Sequence, residues 1–134
     1  MSEQLRPRPR PCASCPYRCD VPSGVWEAEE YTKLLRYDGD TVDQSPALFL
    51  CHQADGYVCS GWLAHAEHPS RFLAVRLAAM ADRLDESCLD YTTDVPLFRS
   101  GREAAQHGLA GVDRPDEDAQ QVIRKVQRKR QVTS

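Results

Sequence analysis

The 134-residue sequence has no apolar run of the length a bilayer span requires, which excludes a membrane-crossing helix. Its first ten residues, MSEQLRPRPR, lack the apolar stretch of a secretory signal, so a cytoplasmic protein is expected. It has no Gly-rich phosphate loop, no His-Glu-x-x-His and no Gly-x-Ser-x-Gly. The zinc-deaminase pattern is incomplete, because there is no second Cys-x-x-Cys. No catalytic constellation is left, and catalysis is not expected. Aromatics are few, at 7%, while seven glycines and nine prolines describe a loop-rich chain. Apolar residues at 41% and charged residues at 28% exclude wholesale disorder, and the length suits one domain.

The net charge of −3 hides an uneven distribution. Residues 1–11 set three arginines against one glutamate, a balance of +2. Residues 121–134 hold Arg124, Lys125, Arg128, Lys129 and Arg130 without an acid, +5, which leaves −10 for residues 12–120. An acidic body repels phosphates, so any nucleic-acid contact is expected from the basic tail 124–130. The ordinary reading of both ends is a solvated arm and a solvated helix face.

The Arg-Pro repeat at residues 6–11 predicts extended backbone, since each proline disfavours helix before it. A helix is expected over 27–37, with Ala28, Tyr31, Leu34 and Leu35 on one face and a stop at Asp38-Gly39-Asp40. The strongest periodicity, Leu73, Leu77, Met80, Ala81 and Leu84, predicts a core helix over 71–84, capped by Ser70 and widened by Phe72 and Val75. Ser100-Gly101-Arg102-Glu103 is a capping box opening a short helix that ends near Gly108. A last helix begins near Asp113, acidic in its first turn and basic in its last, and docks through Ala119, Val122, Ile123 and Val126. Beyond about residue 129 it is expected to fray.

Six cysteines in a reducing compartment point to metal or redox chemistry rather than to disulfides. Cys12 and Cys15 form a Cys-x-x-Cys, and Cys51 and Cys59 supply a second pair far downstream, so one ion would be closed from two places in the chain. Four thiolates suit zinc or an iron–sulfur cluster and not calcium or magnesium. The predicted metal ligands are Cys12, Cys15, Cys51 and Cys59, with His52 and Cys19 in reserve. Cys88 reads as a plain thiol. His65 and His68, three apart, are surface or packing residues, and His107 closes a short helix. Trp26, Phe49, Tyr57 and Trp62 are expected to pack around the site.

The run PCASCPYRCDVPSGVW, the later FLCHQ and CSGW, and the following LAVRL resemble a family of small proteins from actinobacteria and their phages, known only as a domain of unknown function. The resemblance covers residues 11–80 and leaves the basic tail outside. It implies Cys12, Cys15, Cys51 and Cys59 as ligands; Cys19 stands where the family has another residue. For a phage protein the compartment is the host cytoplasm.

The expected fold is mainly α, with a short β-hairpin or extended segment near residues 47–62. It forms a small single domain closed by a metal site. An extended basic arm (1–11) precedes a metal-binding domain (12–112) and a C-terminal helix with a basic tail (113–134). Two functions follow from this reading. One is a zinc-closed interaction or regulatory module for a protein partner, such as host transcription or cell-cycle machinery. The other is a [4Fe–4S] redox or gas sensor.

Overall fold

The computed structural model describes residues 4–51, 56–66 and 68–133. The chain is a small, mainly helical single domain with a two-stranded sheet. The Arg-Pro arm is extended, as its prolines require, and although Arg6, Pro9 and Arg10 are exposed, its backbone is paired on both sides rather than free. Strand β1 (Arg6–Pro7) pairs in parallel with β2 (Tyr57–Val58), Arg6 opposite Tyr57 and Pro7 opposite Val58. On its other side Leu5 exchanges backbone hydrogen bonds with Arg83 and Asp85. The arm therefore threads between two segments from the middle of the chain.

The segment before β2 pairs with it in antiparallel fashion. The N–H of Cys51 donates to Tyr57 (2.9 Å) and that of Cys59 to Phe49 (2.9 Å), around a bridge from Leu50 to Val58. This is the expected hairpin, joined by a parallel third partner that local patterning does not reveal.

Helix α1 (Ala28–Lys33) continues as a 3₁₀ turn over Leu34–Tyr37. Tyr31, Leu34 and Tyr37 are buried, whereas Ala28 and Leu35 face outward. Its stop residue gains a second role: Asp38 accepts hydrogen bonds from the N–H groups of Gly101 (2.7 Å) and Arg102 (2.6 Å), bracing the first turn of a distant helix. Cys59 leads directly into α2 (Ser60–His65), which buries Trp62 and Leu63.

Helix α3 (Leu73–Met80) is shorter than its periodicity suggests and is turned. Phe72, Ala74, Val75 and Ala78 are buried, while Leu77 is 44% and Met80 84% exposed. Two alanines let the backbone approach its neighbours closely, and that face wins over the larger side chains. Ser70 does not cap it: residues 69–71 form their own 3₁₀ turn, and Phe72 occupies the cap position. Asp82, at φ 59°, ends the run, and Leu84 is buried beyond it beside Leu5.

The distant helix is α4 (Gly101–Ala110), whose Ser100 hydroxyl accepts from the Glu103 N–H at 3.1 Å, as the capping box predicts. Gly108 lies where any side chain would strike the Tyr31 ring, so glycine allows α1 and α4 to pack. Asp116 caps α5 (Glu117–Thr133) through the Ala119 N–H at 2.8 Å, three residues later than expected. Ala119 and Val126 are buried and Val122 and Ile123 half-buried, and the helical backbone continues to Thr133. Among the described residues no helix is long and apolar enough to cross a membrane.

Candidate metal centre

Local geometry first brings Cys12 to Cys15. Cys15 N–H donates to the Cys12 carbonyl at 3.0 Å and Arg18 N–H to the Cys15 carbonyl at 3.0 Å, two successive tight turns between flanking prolines. Ser14, fully buried, sets its hydroxyl 3.8 Å from the Cys12 sulfur. The Trp26 indole N–H donates to the Ser14 carbonyl at 2.7 Å and pins the turn.

The hairpin supplies the other pair. Cys12, Cys15, Cys51 and Cys59 are all buried. The Cys15 and Cys59 sulfurs stand 3.8 Å apart. Cys12 in turn lies near enough to Cys15 and Cys51 for each to influence its ionisation, so the four thiols form one electrostatically linked series. Gly61, at the start of α2, lies where a side chain would strike the Cys15 sulfur. Among the described residues, no group of three or more Cys, His, Asp and Glu side chains stands close enough together to hold a metal ion as placed.

The electrostatics follow from placing thiols together in a dry interior. Hydrogen bonding to Cys15 pushes the Cys12 thiol up, against the opposing bond to Cys51, and burial adds to the rise. The bond from Cys12 pulls Cys15 down, but the Cys59 bond, burial and the charge of Cys59 outweigh it, leaving Cys15 well above its ordinary value. Full ionisation therefore needs positive charge nearby. One source is Arg8, whose Nη1 donates to the Cys51 sulfur at 3.3 Å. Burial disfavours the Arg8 charge, but the bond and attraction to Cys51, with Cys12 and Cys59 behind it, more than restore it. Arg18, in a two-pronged ion pair with Asp20, also feels Cys15 and Cys12.

Sequence reasoning missed Arg8, taking it for part of a solvated arm. Only the pairing of β1 with β2 aims it at Cys51. It also missed Tyr17, which is fully buried, edge-on to Phe49 at 5.9 Å and stacked on His65 at 4.2 Å. Trp26, Phe49 and Trp62 are buried as expected, but Tyr57 is 39% exposed on the outer side of β2. The Tyr17 hydroxyl, Ser60 hydroxyl and Trp62 indole N–H are buried without a hydrogen-bond partner among the described residues.

The remaining candidates fall elsewhere. Cys19 is exposed, outside the thiol series. Cys88 is buried beside the Leu5 carbonyl, and burial pushes its thiol up to about 11. His52 lies outside the described residues. His65 ends α2 and donates through Nδ1 to the Trp62 carbonyl, while His68 is exposed on extended backbone, so the two do not share a helical turn. His65-Ala66-Glu67 does spell a His-x-Glu, but its imidazole is engaged by Trp62 and Tyr17, and Glu67 lies outside the described residues. His107 Nε2 bonds the Val21 carbonyl at 2.7 Å and is a packing residue.

The molecule is thus a small, mainly helical domain that buries four cysteines, two in a Cys-x-x-Cys turn and two at a hairpin. It belongs to a family of unknown function, DUF6283, whose model matches residues 7–130. The match includes the basic tail 124–130, which the resemblance at residues 11–80 leaves out. No curated protein and no solved structure is matched by this chain.

Proposed function

We propose that the chain is a zinc-binding interaction or regulatory module in which Cys12, Cys15, Cys51 and Cys59 hold one ion. The observation that carries this reading is the Cys15–Cys59 sulfur separation of 3.8 Å within a linked, buried set of four thiols. A tetrahedron with Zn–S bonds of about 2.3 Å has an edge of about 3.8 Å. Binding would draw Cys12 and Cys51 in to complete it. Zinc would supply the charge that lets the buried thiols ionise, and would tie the N-terminal turn to the hairpin. Arg8 and Arg18 would offset the excess negative charge of four thiolates around a divalent ion. Four thiolates leave no open position, so a structural role is favoured over catalysis.

The output of such a module is a surface offered to a protein partner in the cytoplasm. Any contact with nucleic acid would come from the tail, because the body is acidic. A [4Fe–4S] cluster, with redox or gas sensing as its output, competes for the same thiolates, and the Cys15-Pro16 step is familiar in cluster proteins.

Cobalt titration of the reduced, metal-free protein tests the ligand set. The expected result is saturation at one equivalent, with the strong visible bands of tetrahedral cobalt and thiolate-to-cobalt charge transfer in the near ultraviolet. Zinc then displaces the cobalt. Weak octahedral bands without charge transfer would overturn the four-thiolate assignment.

A further inference from the structure

Away from the thiols, the surface holds a cleft of about 280 Å³, lined by Tyr37, Asp38, His65, Arg71, Phe72, Arg99, Ser100 and Arg102 among others. Its charge runs against that of the body around it. Three arginines come from separate places: Arg71 from the turn before α3, Arg99 from the loop before α4, and Arg102 from the first turn of α4. None of their side chains has an ion pair or hydrogen bond among the described residues.

Among the described residues the one carboxylate in the lining, Asp38, does not neutralise all three. Asp38 directs Oδ1 to the N–H of Gly101 and Oδ2 to the N–H of Arg102. With Asp38 counted, the described lining carries three positive charges against one negative. Holding three like charges around one concavity is unfavourable unless an anion joins them.

We propose that this cleft is a binding site for a small phosphomonoester that carries a ring. A guanidinium presents a planar fork of donors that fits phosphate oxygens two at a time, and three forks suit a dianion better than a monocarboxylate. The rest of the lining suits an organic substituent: Tyr37 and Phe72 form an apolar wall, with the His65 ring beside it. His65 spends Nδ1 on the Trp62 carbonyl, and burial holds it down to about 4, so it adds no charge at neutral pH. In the neutral tautomer its Nε2 is an acceptor for a ligand hydroxyl. The site is independent of the thiol set and stands whichever ion, or none, the cysteines hold.

Calorimetric titration of the full chain with phenyl phosphate, inorganic phosphate and phenol tests this. Phenyl phosphate should bind saturably and at least about tenfold more tightly than inorganic phosphate, with no measurable phenol binding. Arg71→Ser, Arg99→Ser and Arg102→Ser, all at exposed positions, should each weaken phenyl phosphate about tenfold, the scale of one charge-assisted contact. Arg83→Ser, exposed elsewhere, should not. Equal affinity for phenyl and inorganic phosphate would overturn the assignment to an organic ester. Equal weakening by Arg83→Ser, or no saturable binding at millimolar phenyl phosphate, would overturn the site.

Discussion

Cys15→Ser or Cys59→Ser should leave the purified protein with little bound metal and no cooperative thermal transition. These two sulfurs stand 3.8 Å apart, and both are buried. A structural zinc contributes on the order of 10 kcal/mol to a small domain, comparable with the whole stability of a chain this size. Losing one thiolate opens the site to water and leaves a hydroxyl that binds zinc poorly. Cys12→Ser and Cys51→Ser should behave alike, because each is linked to the same series. Two controls separate ligand loss from general damage. Cys19→Ser, at an exposed position, should keep full metal content and an unchanged melting temperature. Cys88→Ser should keep its metal with a modest loss of stability, since it alters a buried thiol outside the series. Elemental analysis and thermal melts of the six variants read both quantities; a Cys19 variant without metal would overturn the ligand set.

The second large effect is an acid sensitivity centred on His65. Burial lowers this imidazole from about 6.5 to about 4, against the smaller opposing effect of its bond to the Trp62 carbonyl. The folded state therefore binds fewer protons than the unfolded one wherever the two values differ. The associated stability is fully present above pH 6.5 and is lost as the pH falls through about 4. A difference of this size corresponds to about 3 kcal/mol. His65→Phe keeps a ring stacked on Tyr17 and removes the titration. Urea melts of both proteins, zinc-loaded, at several pH values from 7 to 4 should show wild type losing about 3 kcal/mol more than the variant. Loss of metal from protonated thiols affects both proteins alike and cancels in the difference. Parallel pH profiles would show that His65 does not titrate in this way.

Local rules made some of the fold legible. The capping box at Ser100 and the docking stripe of α5 depend on residues within a turn or two of one another, and both appear where the pattern places them. The hairpin around Leu50 and Val58 is likewise short-range. What escaped depends on distant partners. Residues 5–8 pair with segments more than 40 residues away on both sides, and nothing in an Arg-Pro repeat specifies a parallel neighbour. Arg8 could not be read as part of the thiol site without that pairing. The turned face of α3 is a conflict of scale: Leu77 and Met80 carry more apolar surface, but Ala74 and Ala78 allow a closer approach, and packing follows shape as well as hydrophobicity. At the candidate site, the four cysteines that spacing singles out are buried and Cys19 is exposed. Spacing did not reveal the arginines that balance their charge, nor that Tyr17 rather than Tyr57 would sit beneath them.

The most direct measurement of the central claim is the metal content and visible spectrum of protein prepared without oxygen. Zinc is d¹⁰ and colourless, whereas a thiolate-bound iron–sulfur cluster absorbs visible light. Anaerobic handling matters, because air can destroy a cluster and leave its thiolates to zinc. The account predicts a colourless protein with about one zinc per chain, retained on passage into air. A brown preparation with about four iron and four sulfide per chain would contradict it and make the same four cysteines a cluster site.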